Sequence, residues 1–306
     1  MTQHVLVTGG AGFIGSHVAE QLLRDGYKVT VLDNLSTGKR EWIPEGAGFI
    51  EGSVLDLDLL RECCKASSGV FHLAAMSRVL PSLHGGPESA LFSAEQNITG
   101  TLNVLVAAAE AKVRKVVYSA SSTYYGNMPA PHWESMLPGC HTPYGISKYV
   151  GELYARQFSR MYGLPTMSLR YFQVYGPRCP SKGEYAMVSS IFIEQALRGE
   201  PLTIHGDGKQ RRDFVHVSDV AMANVRAFES NVGDGEIINV GRGESFSIKE
   251  LADLISPNQI TLPTRAFDMK ETLADTYKCQ QMLRWTPQIG FVQGTQSLMR
   301  TMGLTK

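Results

Sequence analysis

Short runs of β-branched residues alternate with longer amphipathic segments through the first half of the 306-residue chain. The runs have the length of strands, and the segments between them have the 3.6-residue periodicity of helices. Because parallel strands need crossover connections, this alternation predicts an α/β fold with a doubly wound parallel sheet. The predicted strands are residues 4–7, 28–32, 48–50, 69–72, 115–118 and 165–170, and the predicted helices are residues 14–24, 56–65, 94–111 and 144–162.

The regular alternation stops after Tyr175-Gly176-Pro177, where a loop, a helix near 187–198 and a strand at 202–204 follow. A further strand at 236–240 is predicted to rejoin the sheet. We therefore expect two unequal, interleaved parts. Residues 1–175 with about 212–243 form the sheet domain, and about 176–211 with 244–306 form a smaller mixed α/β lobe.

The charge balance and the cysteine content indicate which binding partners and which cellular compartment to expect. The 29 Lys and Arg equal the 29 Asp and Glu, so nucleic acid and anionic membranes are not expected as principal partners. The five cysteines contain no C-x-x-C pair, which indicates a reducing, cytoplasmic setting. Neither a signal peptide nor a membrane span is predicted, and no metal site is predicted.

A glycine-rich turn follows the first predicted strand and precedes a helix. At Gly9, Gly12 and Gly15 the missing side chains let the backbone approach a pyrophosphate at the helix N-terminus. Asp33 ends the second strand about 20 residues further on, where a carboxylate accepts both hydroxyls of an adenosine ribose. A carboxylate there repels a 2′-phosphate, so the pattern predicts NAD rather than NADP.

A tyrosine and a lysine four residues apart lie at the start of the helix at 144–162. Tyr144 and Lys148 share one face, so the ammonium can lower the pKa of the phenol. A phenol that titrates near neutrality is a general base for an alcohol proton. The preceding strand ends in Tyr118-Ser119-Ala120-Ser121-Ser122-Thr123, at the sheet edge where doubly wound folds bind ligands, and a serine hydroxyl there can share the substrate proton.

Nearly the whole chain resembles the extended short-chain dehydrogenase/reductase family, which contains nucleotide-sugar epimerases and dehydratases on a Rossmann fold. The resemblance rests on ordered motifs along the chain. They are Thr8–Gly15, Asp33-Asn34, His72–Ala75, Asn97–Thr101, Ser119–Gly126, Pro143–Lys148, Arg170–Phe172, Val174–Arg178, Gly206–Gly208, Arg212–Val220 and Ala274-Asp275.

The resemblance implies that NAD is retained and that it oxidises the C4 hydroxyl of a nucleotide sugar. Tyr144 is then the base, Lys148 its electrostatic partner and Ser121 the proton-sharing hydroxyl. The implied cofactor-binding residues are Gly9, Gly12, Phe13, Ile14, Gly15, Asp33, Asn34, Leu73, Ala74, Ala75, Asn97, Tyr144, Lys148 and Tyr171.

Two positions separate the reactions of this family. Ser122 and Thr123 occupy the places where the resembled 4,6-dehydratases have Asp and Glu, so 4-epimerisation is favoured. A 5,6-dehydratase of the kind found in tunicamycin-type antibiotic biosynthesis stays open as an alternative. It needs a proton acceptor at C5, for which Cys140, Tyr124 and Thr123 are candidates. An NAD-binding regulator without catalysis is a third hypothesis, which the presence of the catalytic residues disfavours.

The resemblance also implies a binding site for the nucleoside diphosphate and the sugar. Thr272 aligns with a gatekeeper position at which a small residue admits an N-acetyl group, which favours UDP-GlcNAc. Gln173 replaces the usual Asn of the resembled family. A homodimer is expected through helices 94–111 and 144–162. The implied substrate-binding residues are Gln173, Val188, Phe192, Arg212, Arg265, Asp268 and Thr272.

Overall fold

A seven-stranded sheet in which every pairing is parallel forms the centre of the protein. The computed structural model describes residues 2–77, 86–183, 186–265 and 269–305. The strands of the sheet are β1 (His4–Thr8), β2 (Lys28–Asp33), β3 (Gly48–Glu51), β4 (Gly69–His72), β5 (Val116–Ser121), β6 (Thr166–Tyr171) and β11 (Asp234–Val240). Their lateral order, β11-β6-β5-β4-β1-β2-β3, confirms the predicted doubly wound fold.

Helices cover both faces of this sheet. Because neither face meets water, β1 buries the three consecutive apolar residues Val5, Leu6 and Val7 completely. One face packs against α1 (Phe13–Arg24) and α7 (Val217–Glu229), and the other against α2 (Leu57–Lys65), α4 (Gly100–Glu110) and α5 (Pro143–Tyr162). A further helix, α3 (Gly86–Ala94), joins α4 through a π-helical turn at Glu95–Thr99. Within the described ranges, no helix is long and apolar enough to cross a membrane.

The later part of the chain forms short strand pairs and four further helices. Phe192, Ile204 and Leu251 lie in its apolar core. The pairs are β7 (Gln173–Tyr175) with β10 (Phe214–His216), β8 (Leu202–His205) with β13 (Gln259–Leu262), and β9 (Arg211–Arg212) with β12 (Phe246–Ser247). The helices are α6 (Val188–Leu197), α8 (Ile248–Ile255), α9 (Tyr277–Leu283) and α10 (Phe291–Thr301).

The sheet is closed at one edge by a strand from late in the chain. β11 pairs with β6 from Asp234 to Val240, so the predicted strand at 236–240 does rejoin the sheet. The division into residues 1–175 with about 212–243, and about 176–211 with 244–306, stays a prediction.

All seven strands end at the same edge of the sheet because they are parallel. Gly9 follows β1, Leu73 follows β4, and Asp33, Ser121 and Tyr171 end β2, β5 and β6. The fold therefore gathers residues that are far apart in sequence into one crevice at the carboxyl ends of the strands.

Candidate active site

The first glycine turn makes close backbone contacts within this crevice. Gly9 has a left-handed backbone with φ of +70°, and a Cβ atom there would lie 2.6 Å from the backbone nitrogen of Ala74. A Cβ atom on Gly15 would lie 2.1 Å from the carbonyl oxygen of Gly9. Contacts this short exclude any side chain at either position. The turn therefore stays narrow enough for a ligand to approach its backbone.

Helix α1 begins directly after this turn. Its N-cap is Gly12, which has no side chain to accept a bond from the first turn. Among the described residues, the backbone N–H groups of Phe13 and Ile14 have no hydrogen-bond acceptor. Free N–H groups at the positive end of a helix dipole bind phosphate oxygens. The residues present thus fit the pyrophosphate of NAD.

Asp33 lies beside the turn at the end of β2. One carboxylate oxygen accepts from the N–H of Ala11 at 3.0 Å, and the other accepts from the N–H of Leu35 at 2.8 Å. Burial raises the pKa of the carboxyl, and the two backbone donors oppose that effect. Arg40 forms an ion pair with Glu51, so its guanidinium lies beside that carboxylate. The site therefore presents an acidic group where a 2′-phosphate would need a cation.

Asn34 and Asn97 were both predicted to contact the cofactor. The side-chain oxygen of Asn34 accepts from the backbone N–H of Ser36 at 3.1 Å, which closes a local turn. Asn97 is buried, and its amide makes bonds of 2.8 and 3.0 Å with the backbone of Met76 and a bond of 2.9 Å to Ser147. In the structure Asn97 therefore ties the segment after β4, which contains Leu73, Ala74 and Ala75, to helix α5.

Helix α5 carries the predicted catalytic pair. Thr142 caps its first turn by accepting from the N–H of Gly145 at 3.1 Å, and Tyr144 follows, partly exposed. Lys148 is 4 % exposed, and its Nζ lies 4.4 Å from the ring centre of Tyr118. Burial lowers the pKa of Lys148 to about 7, while the charge of Glu152 one turn later acts to raise it.

The turn after β5 places hydroxyl groups opposite this helix. Ser121 accepts from the hydroxyl of Thr123 at 2.9 Å and from its backbone N–H at 3.2 Å. Thr123 faces the start of α5, since a Cβ atom on Gly145 would lie 3.5 Å from its hydroxyl oxygen. Ser122 is buried in the same 3₁₀ turn, Ser122–Tyr125. The turn supplies hydroxyls and no carboxylate.

The predicted substrate-binding residues are only partly brought together. Arg212 is half-buried, and its guanidinium donates to the carbonyl oxygen of Met269 at 2.7 Å. Thr272 is 4 % exposed, and its hydroxyl accepts from the N–H of Asp213 at 3.3 Å. Arg265 is exposed. Asp268 lies outside the described residues.

Four further predicted residues are all at least half-buried. Phe192 is 1 % exposed within the lobe's apolar core, so its ring has almost no surface for a nucleobase, and we reassign it to support of helix α6. Val188 begins that helix and is half-buried. The hydroxyl of Tyr171 donates to Asn224 at 2.8 Å. Gln173 begins β7 and is half-buried.

Sequence reasoning missed a buried ion pair next to the turn Ser122–Tyr125. Arg170 and Glu152 have side chains that are 1 % and 3 % exposed, with a closest N–O distance of 2.6 Å. Glu152 follows Lys148 by four residues, so helical spacing could have identified it. Arg170 lies within a strand whose residues are all buried, and no local pattern indicates its partner. The described residues contain no cluster of His, Cys, Asp or Glu that could hold a metal ion.

Comparison with known proteins identifies the family. The model of the NAD dependent epimerase/dehydratase family matches residues 5–241. A putative UDP-glucose 4-epimerase of Methanocaldococcus jannaschii is 37 % identical over 97 % of this chain and 98 % of its own. A UDP-N-acetyl-alpha-D-glucosaminuronate decarboxylase of Bacillus cytotoxicus is 35 % identical over 98 % of both chains.

A solved structure extends this similarity to the fold. The UDP-N-acetylglucosamine 4-epimerase of Methanobrevibacter ruminantium, in complex with UDP-N-acetylmuramic acid, superposes with a TM-score of 0.92 at 36 % identity over 98 % of both chains. The glycine turn, the acidic end of β2 and the Tyr144–Lys148 pair agree with that similarity. This chain therefore belongs to the NAD dependent epimerase/dehydratase family and is an NAD-dependent enzyme of nucleotide-sugar chemistry.

Proposed function

We propose that the protein is a 4-epimerase of UDP-N-acetylhexosamines of the UDP-GlcNAc type. The observation that carries the proposal is the pairing of Tyr144 and Lys148 on α5 with a turn at Ser121–Thr123 that bears hydroxyls only. Such a site can move a proton to and from one sugar oxygen, and the turn offers no carboxylate for eliminating water.

The catalytic residues act at the C4 hydroxyl. The phenol of Tyr144 takes the hydroxyl proton, the ammonium of Lys148 stabilises the phenolate, and Ser121 shares the proton. NAD supplies a reversible hydride acceptor for C4. The 4-keto sugar turns within the site, and Tyr144 returns the proton after hydride addition to the opposite face. One acid–base group therefore serves both directions, and no external reductant is consumed.

The 5,6-dehydratase alternative needs a second base at C5. The hydroxyl of Tyr124 donates to the carbonyl oxygen of Met136 at 2.6 Å. The thiol of Cys140 lies 3.6 Å from two carbonyl oxygens, and burial raises its pKa to about 11. Thr123 donates to Ser121, and a threonine hydroxyl is far too weakly acidic to serve as a carboxylate-like base. These three environments favour epimerisation over dehydration.

The remaining parts of the proposal concern assembly and compartment. Helix α5 presents Ile146, Leu153 and Met161 to the surface, at spacings that form one apolar stripe. We place a second copy of the chain on this stripe. All five cysteines are free, which agrees with a cytoplasmic, reducing setting.

Incubation with UDP-GlcNAc in D₂O, without added cofactor, tests the reaction. We expect an isomer with no carbon-bound deuterium, and of unchanged mass once its exchangeable protons are returned to H₂O, because the hydride returns from the retained cofactor. Mass spectrometry and proton NMR follow the product. Loss of water with an alkene signal would establish the 5,6-dehydratase, and no turnover would overturn the choice of substrate.

Lys148→Met should separate catalysis from stability. Burial lowers the pKa of Lys148 in the folded protein from 10.5 to about 7. The unfolded chain therefore binds this proton more tightly, so the charged lysine destabilises the fold most below pH 7 and less as the pH rises towards 10.5. In protein freed of NAD, the variant should unfold at higher denaturant concentration at pH 6, and the gain should shrink at pH 9. Turnover should fall by about 10²-fold or more.

Lys115→Met is the matched control for that experiment. Lys115 is also buried, and it donates to the carbonyl oxygens of Ala227 and Ser230 away from the crevice. Folded Lys115→Met should keep its turnover. Parent-like turnover in Lys148→Met would remove this lysine from the mechanism.

Substrate size is tested at Thr272. Thr272→Tyr should lower kcat/KM for UDP-GlcNAc relative to UDP-glucose by about tenfold or more, because the larger ring fills the space for the acetamido group. Because both kcat/KM values come from the same protein preparation, any loss of folded protein cancels in their ratio. Thr272→Val keeps the size and should leave the ratio unchanged. An unchanged ratio in Thr272→Tyr would show that this residue does not select the sugar.

The oligomer is tested on helix α5. Leu153 is 45 % exposed, and Leu153→Glu should convert a dimer into a monomer in light scattering because it places a charge in the apolar stripe. Val292→Glu, at a 46 % exposed valine on α10, is the control and should leave the mass unchanged. A monomeric parent protein would refute the dimer.

A further inference from the structure

A buried guanidinium contacts the turn Ser122–Tyr125, which follows β5 and lies next to Ser121. Arg170, on β6, donates from Nε and Nη2 to the two carboxylate oxygens of Glu152 at 2.8 and 2.6 Å. Glu152 lies on α5, one helical turn after Lys148. This two-point contact fixes both the distance and the orientation of the helix relative to β6.

The same guanidinium also contacts the turn that carries Ser121 and Thr123. Its Nη1 donates to the hydroxyl oxygen of Tyr125 at 2.9 Å, and its Cζ lies 3.5 Å from the ring centre of Tyr124. These two tyrosines are the last residues of the turn Ser122–Tyr125. One side chain thus connects the element that carries the base to the element that carries the proton-sharing hydroxyl.

The turn is held from its other side as well. The hydroxyl of Tyr125 donates to the side-chain oxygen of Asn239, on β11, at 2.6 Å. Asn239 is completely buried, and its own amide donates to the carbonyl oxygen of His132 at 2.9 Å. The Tyr125 hydroxyl therefore has both a donor and an acceptor in fixed positions, which leaves the end of the turn little freedom.

Stability alone does not account for this arrangement. Removing two charges from water costs several kcal/mol per ion, and well-packed apolar residues often replace a buried pair with no loss of stability. A need to position the catalytic residues does account for the buried pair. Tyr144 and Ser121 lie on different elements and must meet one sugar oxygen, and a displacement of about 1 Å costs about 10²-fold in rate.

We propose that the Arg170–Glu152 pair sets the position of the Ser121 turn relative to Tyr144 and Lys148, and that it does so through Tyr124 and Tyr125. Arg170 and Glu152 are positioning residues, since they act on the reacting atoms through the turn and the helix. The inference rests on the proposed function for its kinetic readout and on the fold alone for its structural readout.

The test replaces the whole pair by apolar residues of similar size, Arg170→Met with Glu152→Leu. Because no charge is left unpaired, the double variant should keep NAD and melt at or above the temperature of the parent. On the UDP-sugar that the parent epimerises, kcat should fall by about 10²-fold while KM stays within about threefold. A stable double variant with parent-like kcat would overturn the proposal.

Two further variants cover the case in which the double variant does not fold and the general effect of removing an ion pair. Tyr125→Phe keeps the ion pair, the ring and the contact of Arg170 with Tyr124, but it removes the hydrogen bonds from the Tyr125 hydroxyl to Arg170 and Asn239, so it should lower kcat and leave KM and NAD content unchanged. Should the double variant fail to fold, this variant decides, and an unchanged kcat in it refutes the proposal. The matched control replaces Lys278 and Glu236, an ion pair with side chains 30 % and 33 % exposed, by Met and Leu and should keep full activity.

A crystal structure separates this inference from the proposed function. In the double variant with NAD, the distance from Ser121 Oγ to Tyr144 Oη should differ from that of the parent by about 1 Å, or the turn should occupy several positions. This readout needs no turnover, so it decides even if the parent epimerises no UDP-sugar. An unchanged distance with an ordered turn would refute the positioning role.

Discussion

Close backbone contact at the first glycine turn is the constraint on which the rest of the site depends. Gly9 lies against Ala74, and Gly15 lies against the carbonyl of Gly9, so β1, β4 and the start of α1 converge at one edge of the sheet. Only missing side chains permit that convergence. The other groups are placed relative to it: Asp33 lies one strand to one side, and Ser121 lies two strands to the other.

Charge acts locally in this electrically neutral chain. Lys148 is buried. The nearest carboxylate along α5 is that of Glu152, and it accepts hydrogen bonds from Nε and Nη2 of Arg170. The charge of Glu152 still acts to raise the pKa of Lys148, which favours the ammonium that the proposed mechanism places beside the phenolate of Tyr144. In the proposed mechanism, the ion pair therefore bears on the electrostatics of the site as well as on its geometry.

The parts of the site that follow from local pattern were predictable from sequence. The glycine turn, Asp33 and the Tyr144–Lys148 spacing each lie within one turn, one strand end or one helix face. The link between Tyr125 and Asn239 joins residues 114 positions apart, so no local pattern contains it. Phe192 was assigned to the substrate site by the family resemblance alone, and a resemblance in sequence does not show whether packing turns a side chain towards a ligand or, as here, into the apolar core.

The fold of this family supports several reactions, so the outcome depends on a few side chains around the C4 oxidation that we propose. Epimerisation needs one acid–base group, because the proton that leaves the C4 hydroxyl is the proton that returns to it. Elimination needs a second group at C5. In the described turn, Thr123 donates to Ser121 and Tyr124 donates to a backbone carbonyl. Because their hydrogen atoms are already donated and no carboxylate lies beside them, we propose a site in which rotation of the keto sugar, and not elimination, changes the product.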